Sequence, residues 1–217
     1  MQIKICGLKR KEDVDYVNQS MPDWIGFVFA GEKRKIDYET AKALKQQLNP
    51  QIRSVGVFVN ADISFITRLV QDGILDMIQL HGDENREYIM KLKECLKKSE
   101  KSDVPIIKAV RVKNVMQILE DEKLPVDYLL LDAFKEDEYG GSGKVFDHNL
   151  IPDLHKPYIL AGGIGLDNVT EILQTLAEKN RSPVCVDVSS SVETDGFKDQ
   201  IKIEELVQRV KSLEQFL

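Results

Sequence analysis

Eight short runs of apolar, largely β-branched residues recur along the chain at nearly even distances: QIKIC, WIGFVF, SVGVFV, MIQLHG, PIIKAV, YLLLDA, YILAGG and VCVDVSS. Their ends fall at Cys6, Phe29, Val59, His81, Val110, Asp132, Gly162 and Asp187, which are 22 to 30 residues apart. Each interval has room for one strand, one loop and one helix. Near-continuous apolar character marks strands covered on both faces, as in a parallel sheet under helices. Eight such units in one uninterrupted pattern predict an α/β fold, a closed (βα)8 barrel of the TIM type. The competing architecture is an open doubly wound sheet, and the even spacing favours closure.

The intervals carry helical spacing. Behind Asp37, a plausible N-cap, Ala41, Leu44 and Leu48 fall on one stripe. Asp62 precedes Ile63, Ile66, Leu69 and Val70 in the same way. Further stripes are Val169, Ile172, Leu173 and Leu176, then Ile203, Leu206, Val207, Val210 and Leu213. The interval between YLLLDA and YILAGG is the weakest, because the glycine-rich EYGGSGKVFDH occupies it. No low-complexity linker divides the sequence, so residues 1–217 are expected to form one catalytic domain.

Charge and thiols narrow the function classes. With 30 basic against 36 acidic residues the net charge is −6, which gives no nucleic-acid footprint. An anionic ligand would have to be held by local groups. Cys6, Cys95 and Cys185 are far apart, odd in number and without a CxxC pair, which argues against a zinc ribbon or a redox motif. Free thiols point to a reducing, cytoplasmic compartment. No apolar run approaches the ~18 residues of a membrane span, and no signal-peptide pattern is expected at the start.

In a barrel of this kind the active site lies at the C-terminal ends of the strands. Side chains alternate along a strand, so residues two apart share a face. Ile3 and Ile5 should meet helices, while Lys4 and Cys6 point into the barrel. By the same parity Gln79 and His81 point inward, as do Tyr128, Leu130 and Asp132, and Cys185, Asp187 and Ser189. A thiol, an imidazole and two carboxylates would then ring one cavity. Each has an ordinary alternative: Cys6 as core, His81 bonding a carbonyl, Asp132 as a helix cap, Asp187 bracing a turn. Their convergence on strand ends favours a site.

Two segments suit a phosphate. LAGGIGLDNV runs from strand to helix through Gly162 and Gly163, whose bare backbone lets amides approach an oxyanion. VDVSSSVET offers Ser189 and Ser190 before a short extra helix. The loops after strands seven and eight often hold phosphate in such barrels. GGSGK at 140–144 lacks the GxxxxGK[ST] frame and reads instead as an active-site loop that moves.

In combination, KICG, GFVF, KR at 33–34, VGVFV, QLHG, LLD, EYGGSGKVFD, AGG and DVSS resemble the phosphoribosylanthranilate isomerase family over nearly the whole chain. The resemblance implies an acid–base Amadori rearrangement in tryptophan biosynthesis. It implies Cys6 as general base and Asp132 as general acid, with Arg34 on the anthranilate carboxylate. His81 would line the substrate site, Asp187 would contact the sugar, and Gly162, Gly163, Ser189 and Ser190 would bind the 5′-phosphate. It implies no metal and no organic cofactor. The only expected partner is a small phosphorylated substrate, with no nucleic acid or membrane, on a monomer or homodimer.

The chemistry calls for the same set: a proton for the ring oxygen, a base for the C2′ proton, and the imine nitrogen as electron sink. Lys4 is the expected cause of a thiol pKa lowered toward neutrality. The chain departs from the family pattern at Lys9 (usually Thr), Ser191 (usually Gly) and His148 (usually Trp). One residue is also missing before Lys33, which leaves Lys33 and Lys35 as alternatives to Arg34. A related isomerase using two aspartates would need Asp at position 6. A silent phosphate-binding barrel would have lost Cys6 or Asp132.

Overall fold

The computed structural model describes residues 1–133 and 148–213. The strands are β1 (Gln2–Cys6), β2 (Trp24–Val28), β3 (Arg53–Phe58), β4 (Met77–Leu80), β5 (Ile106–Val112), β6 (Tyr128–Ala133), β7 (Tyr158–Leu160) and β8 (Cys185–Val188). They pair in parallel, in sequence order, and β8 pairs with β1 to close the barrel. All eight apolar runs are therefore strands, and the closed architecture holds over the open sheet. β5 runs two residues beyond Val110, which matters below.

Seven α-helices lie among the described residues: α1 (Lys11–Ser20), α2 (Tyr38–Gln47), α3 (Ile63–Gln71), α4 (Arg86–Lys98), α5 (Val115–Glu122), α6 (Val169–Glu178) and α7 (Gln200–Ser212). Asp37 and Asp62 cap α2 and α3 as expected, accepting hydrogen bonds at 2.8 Å from the Thr40 and Ser64 amides. Between β6 and β7 the described residues hold only a 3₁₀ turn, His148–Leu150. The EYGGSGKVFD segment, with its GGSGK, lies outside them.

Strand parity sorts the core into two layers. Ile3, Ile5, Leu129, Leu131 and Val186 join the helices in the outer apolar layer. Trp24, Val55, Met77, Ile107, Leu130, Ile159 and Cys185 pack inside the barrel. The helical stripes close the outer layer, with Leu173, Leu176, Leu206 and Val210 all buried. Truncating one such residue, Ile5→Ala for example, removes contacts that the surroundings cannot replace and costs about 2–5 kcal/mol. The inner layer fills the lower barrel, and the polar strand-end residues lie above it.

Candidate active site

Cys6 ends β1 and is partly exposed. Two glycines make room around it. A Cβ at Gly26, its neighbour on β2, would stand 2.7 Å from Cys6 Sγ. Gly7 has φ +89°, and a Cβ there would stand 2.4 Å from Arg34 Cδ. The following loop is pinned by the fully buried Asp13, which accepts from the Lys9 and Arg10 amides at 2.9 and 3.1 Å.

Beneath the thiol, Lys4 is wholly buried and its Nζ donates to Asp187 Oδ1 at 2.9 Å. Burial alone would lower the Lys4 ammonium. Asp187 and Cys6 outweigh it and hold Lys4 above its ordinary value. Asp187 is pushed up, because its own burial outweighs the pull of Lys4, and Asp132 adds to the rise. For Cys6, burial pushes the thiol up, against the pull of Lys4 and Lys198. The expectation that Lys4 lowers this thiol toward neutrality is thus corrected: Lys4 acts in that direction, but desolvation is larger.

His81 follows β4, and its Nε2 lies 3.4 Å from Asp132 Oδ2, within ion-pair distance but not aligned as a hydrogen bond. Gln79 Nε2 stands 2.9 Å from His81 Nδ1. The loop behind His81 is braced by Glu84, which accepts from the Gly82 amide at 2.9 Å and from buried Lys108 at 3.1 Å.

Arg34 is half-buried and lies over Gly7, while Lys33 and Lys35 are exposed. Its guanidinium is already engaged. Nε donates to Glu193 Oε1 and Nη2 to Glu193 Oε2, both at 2.8 Å. Lys9, one of the departures from the family pattern, places its Nζ 4.7 Å over the Phe197 ring.

After β7, Gly162 and Gly163 both have positive φ, 86° and 68°. Two successive left-handed residues are open to glycine and costly for other side chains. Asn168 fixes this turn, donating through Nδ2 to Gly163 O at 2.8 Å and accepting the Gly165 amide at 2.9 Å. Among the described residues, the Gly162 and Gly163 amides have no hydrogen-bond acceptor. After β8, Ser189 Oγ donates to the Cys6 carbonyl at 2.9 Å, and Ser190 is exposed at the start of a 3₁₀ turn, Ser190–Val192. A two-stranded hairpin follows, β9 (Glu193–Thr194) and β10 (Phe197–Lys198).

The nine residues expected from sequence thus lie at one mouth of the barrel. A groove of about 490 Å³ lies elsewhere, lined by Lys97, Asp103, Tyr128 and Pro157 among others, and none of the nine lines it. Four participants escaped sequence reasoning: Arg111, Asn168, Glu193 and Lys198. Arg111 shares the inward parity of Ile107 and Ala109 and sits opposite Asp132 in the β5–β6 ladder. Extending the PIIKAV run by one residue would have found it.

Residues 3–209 match the family model described as N-(5'-phosphoribosyl)anthranilate isomerase. An enzyme of that name from Endomicrobium trichonymphae is 48% identical over 212 residues, 98% of this chain and 99% of the relative. The solved phosphoribosyl anthranilate isomerase from Thermotoga maritima superposes with a TM-score of 0.82 at 32% identity, covering 98% of this chain and 100% of that one. A second solved structure of such an enzyme holds reduced 1-(o-carboxyphenylamino)-1-deoxyribulose 5-phosphate. It matches with a TM-score of 0.76 at 30% identity, covering 98% of this chain and 100% of that one.

Proposed function

The chain belongs to the N-(5'-phosphoribosyl)anthranilate isomerase family, and on that premise we propose which of its residues perform the rearrangement. The reaction converts an aldosylamine to an aminoketose in tryptophan biosynthesis. We assign Asp132 as the acid and Cys6 as the base. Asp132 gives its proton to the furanose ring oxygen. The C1′–O bond breaks as the nitrogen lone pair forms a C1′=N iminium. Cys6 thiolate then takes the C2′ proton, and the freed pair forms C1′=C2′ while neutralising the nitrogen. The resulting enolamine tautomerises to the ketone. The iminium is the electron sink, so the scheme calls on no metal or organic cofactor.

Around that pair, Arg34 takes the anthranilate carboxylate and His81 lines the site beside Asp132. Asp187, tied to Lys4, faces the sugar. The Gly162 and Gly163 amides, with Ser189 and Ser190, take the 5′-phosphate. The observation that carries this reading is the gathering of two side-chain pairs at the barrel mouth, the Lys4–Asp187 ion pair under Cys6 and His81 beside Asp132. Three free thiols suit a reducing compartment, and we place this single-domain enzyme in the cytoplasm.

The test is turnover of freshly generated phosphoribosylanthranilate, followed by loss of its fluorescence. Cys6→Ala and Asp132→Asn should each lose roughly 10²–10⁴-fold in rate with an unchanged far-UV spectrum. Near-native turnover in either variant removes that residue from its role.

A further inference from the structure

Arg34, Glu193 and Lys198 form a chain of contacts that the acid–base pair does not use. Arg34 crosses the bare Cα of Gly7 and lays one edge of its guanidinium on Glu193 through two parallel 2.8 Å hydrogen bonds. Lys198, across the β9–β10 hairpin and only 4% exposed, donates to Glu193 Oε1 at 2.7 Å and to Ser189 O at 2.9 Å. Ser189 in turn holds the Cys6 carbonyl. Glu193 is held at about 2: burial raises it, and the Arg34 and Lys198 contacts more than reverse that. It is an anion throughout the working range.

A guanidinium carries five N–H donors in one rigid plane. Glu193 takes Nε–H and one Nη2–H. Among the described residues, Nη1 and the second Nη2 hydrogen have no acceptor. Those remaining donors form a second fork, suited to a second carboxylate. An anion beside that fork would repel such a ligand unless another cation offset it, and Lys198 is that cation.

We propose that Glu193 is a positioning residue for substrate recognition: it holds the Nε edge of Arg34 so that the Nη edge meets the substrate's aromatic carboxylate, while Lys198 offsets its charge. The proposal rests on the reading of Arg34 as the carboxylate anchor, which is tested separately below. On this account the hairpin after β8 sets specificity at the aromatic end of the ligand, although the preceding residues serve its phosphate end.

The experiment is calorimetric binding of two probes. One is reduced 1-(o-carboxyphenylamino)-1-deoxyribulose 5-phosphate, and the other is the same molecule without its ring carboxylate. The unsubstituted protein should prefer the carboxylated probe by about tenfold or more, the worth of one charge-assisted bidentate contact. Glu193→Gln should erase most of that preference and leave the affinity for the other probe within about twofold. Glu193→Asp, which keeps the charge beside Lys198 but withdraws the carboxylate by one methylene, should do the same. Preference retained by folded Glu193 variants but lost in Arg34→Lys overturns the role of Glu193 alone. Preference retained in Arg34→Lys overturns the anchor itself. Equal weakening toward both probes in the Glu193 variants makes the residue merely structural and also overturns the proposal.

Discussion

Lys4 and Asp187 stand opposite each other in the ladder that joins the first barrel strand to the last, and their side chains meet at 2.9 Å inside the barrel. The pair places a cation directly beneath the thiol of Cys6 without leaving a buried charge unmatched. Burial of the thiol still dominates, and its pKa stays above the ordinary value. On the proposed assignment of Cys6 as base, a minority thiolate would act at neutral pH, and as the conjugate base of a weaker acid it would be the more basic for it.

The pH profile follows. Cys6 must lose its proton to serve as base, so kcat/KM should climb with pH along a limb centred above the ordinary thiol value of about 8.5. Lys4 pulls that value down, so Lys4→Met should move the limb further to the alkaline side. A limb that stays in place or moves down would remove Lys4 as an influence on the base.

Alkylation separates the three thiols. Cys185 is fully buried and pushed well up, chiefly by burial, so it should resist labelling in the folded protein. Cys6 and Cys95 are partly exposed. Labelling of Cys6 should accelerate as pH rises, track loss of turnover, and be blocked by the reduced product analogue. Labelling of Cys95 alone with activity lost would contradict this assignment.

Gly26 and Gly7 make room for two different residues of the proposed site, Cys6 and Arg34. Gly26→Ala drives a methyl against Cys6 Sγ, and a displacement of about 1 Å can cost 10²-fold in turnover. Gly7→Ala forces a left-handed residue and pushes Arg34 aside, costing about 1–2 kcal/mol in stability and raising KM. Thermal unfolding alongside steady-state kinetics separates the two. Unchanged kcat in Gly26→Ala would mean the thiol has room to move without consequence.

Glu193 also leaves a mark on acid stability. Its folded pKa of about 2 lies below the unfolded value of about 4.3, so its contribution is present above about 4.3 and lost as pH falls through about 2. The Tm difference between the unsubstituted protein and Glu193→Gln should therefore be largest near neutrality and shrink across that window. A pH-independent difference would show that the carboxylate's charge contributes nothing to stability.

Much of this site was legible because strand parity is strict. Lys4, Cys6, His81, Asp132 and Asp187 sit at strand ends where a period of two assigns each a face. Arg111 was missed only because β5 continues past its apolar run, through a charged residue that looks like the start of a loop. Glu193 and Lys198 could not be read in this way. Their hairpin has two-residue strands, too short for periodicity, and their partner Arg34 is 159 positions from Glu193. The thiol's pKa was misjudged for a related reason: a neighbouring lysine is visible in KICG, whereas desolvation depends on everything that packs around it. Asn168 reads as part of a helix, and only the backbone shows it gripping the glycine turn.

Closure of β1 on β8 also sets a clock on the nascent enzyme. The bonds from Lys4 to Asp187 and from Ser189 to Cys6 each span 183 residues. At typical rates of synthesis, roughly ten to forty seconds separate the emergence of the thiol from that of its partners. Throughout that delay one edge of β1 lacks its neighbour, and an unpaired edge is a template for aggregation. A ribosome stalled before β8 would thus release a chain with seven strands, an exposed thiol and a lysine without its carboxylate. Such a chain has neither the carboxylate that meets Lys4 nor the hydroxyl that holds the Cys6 carbonyl, however well its earlier units have folded.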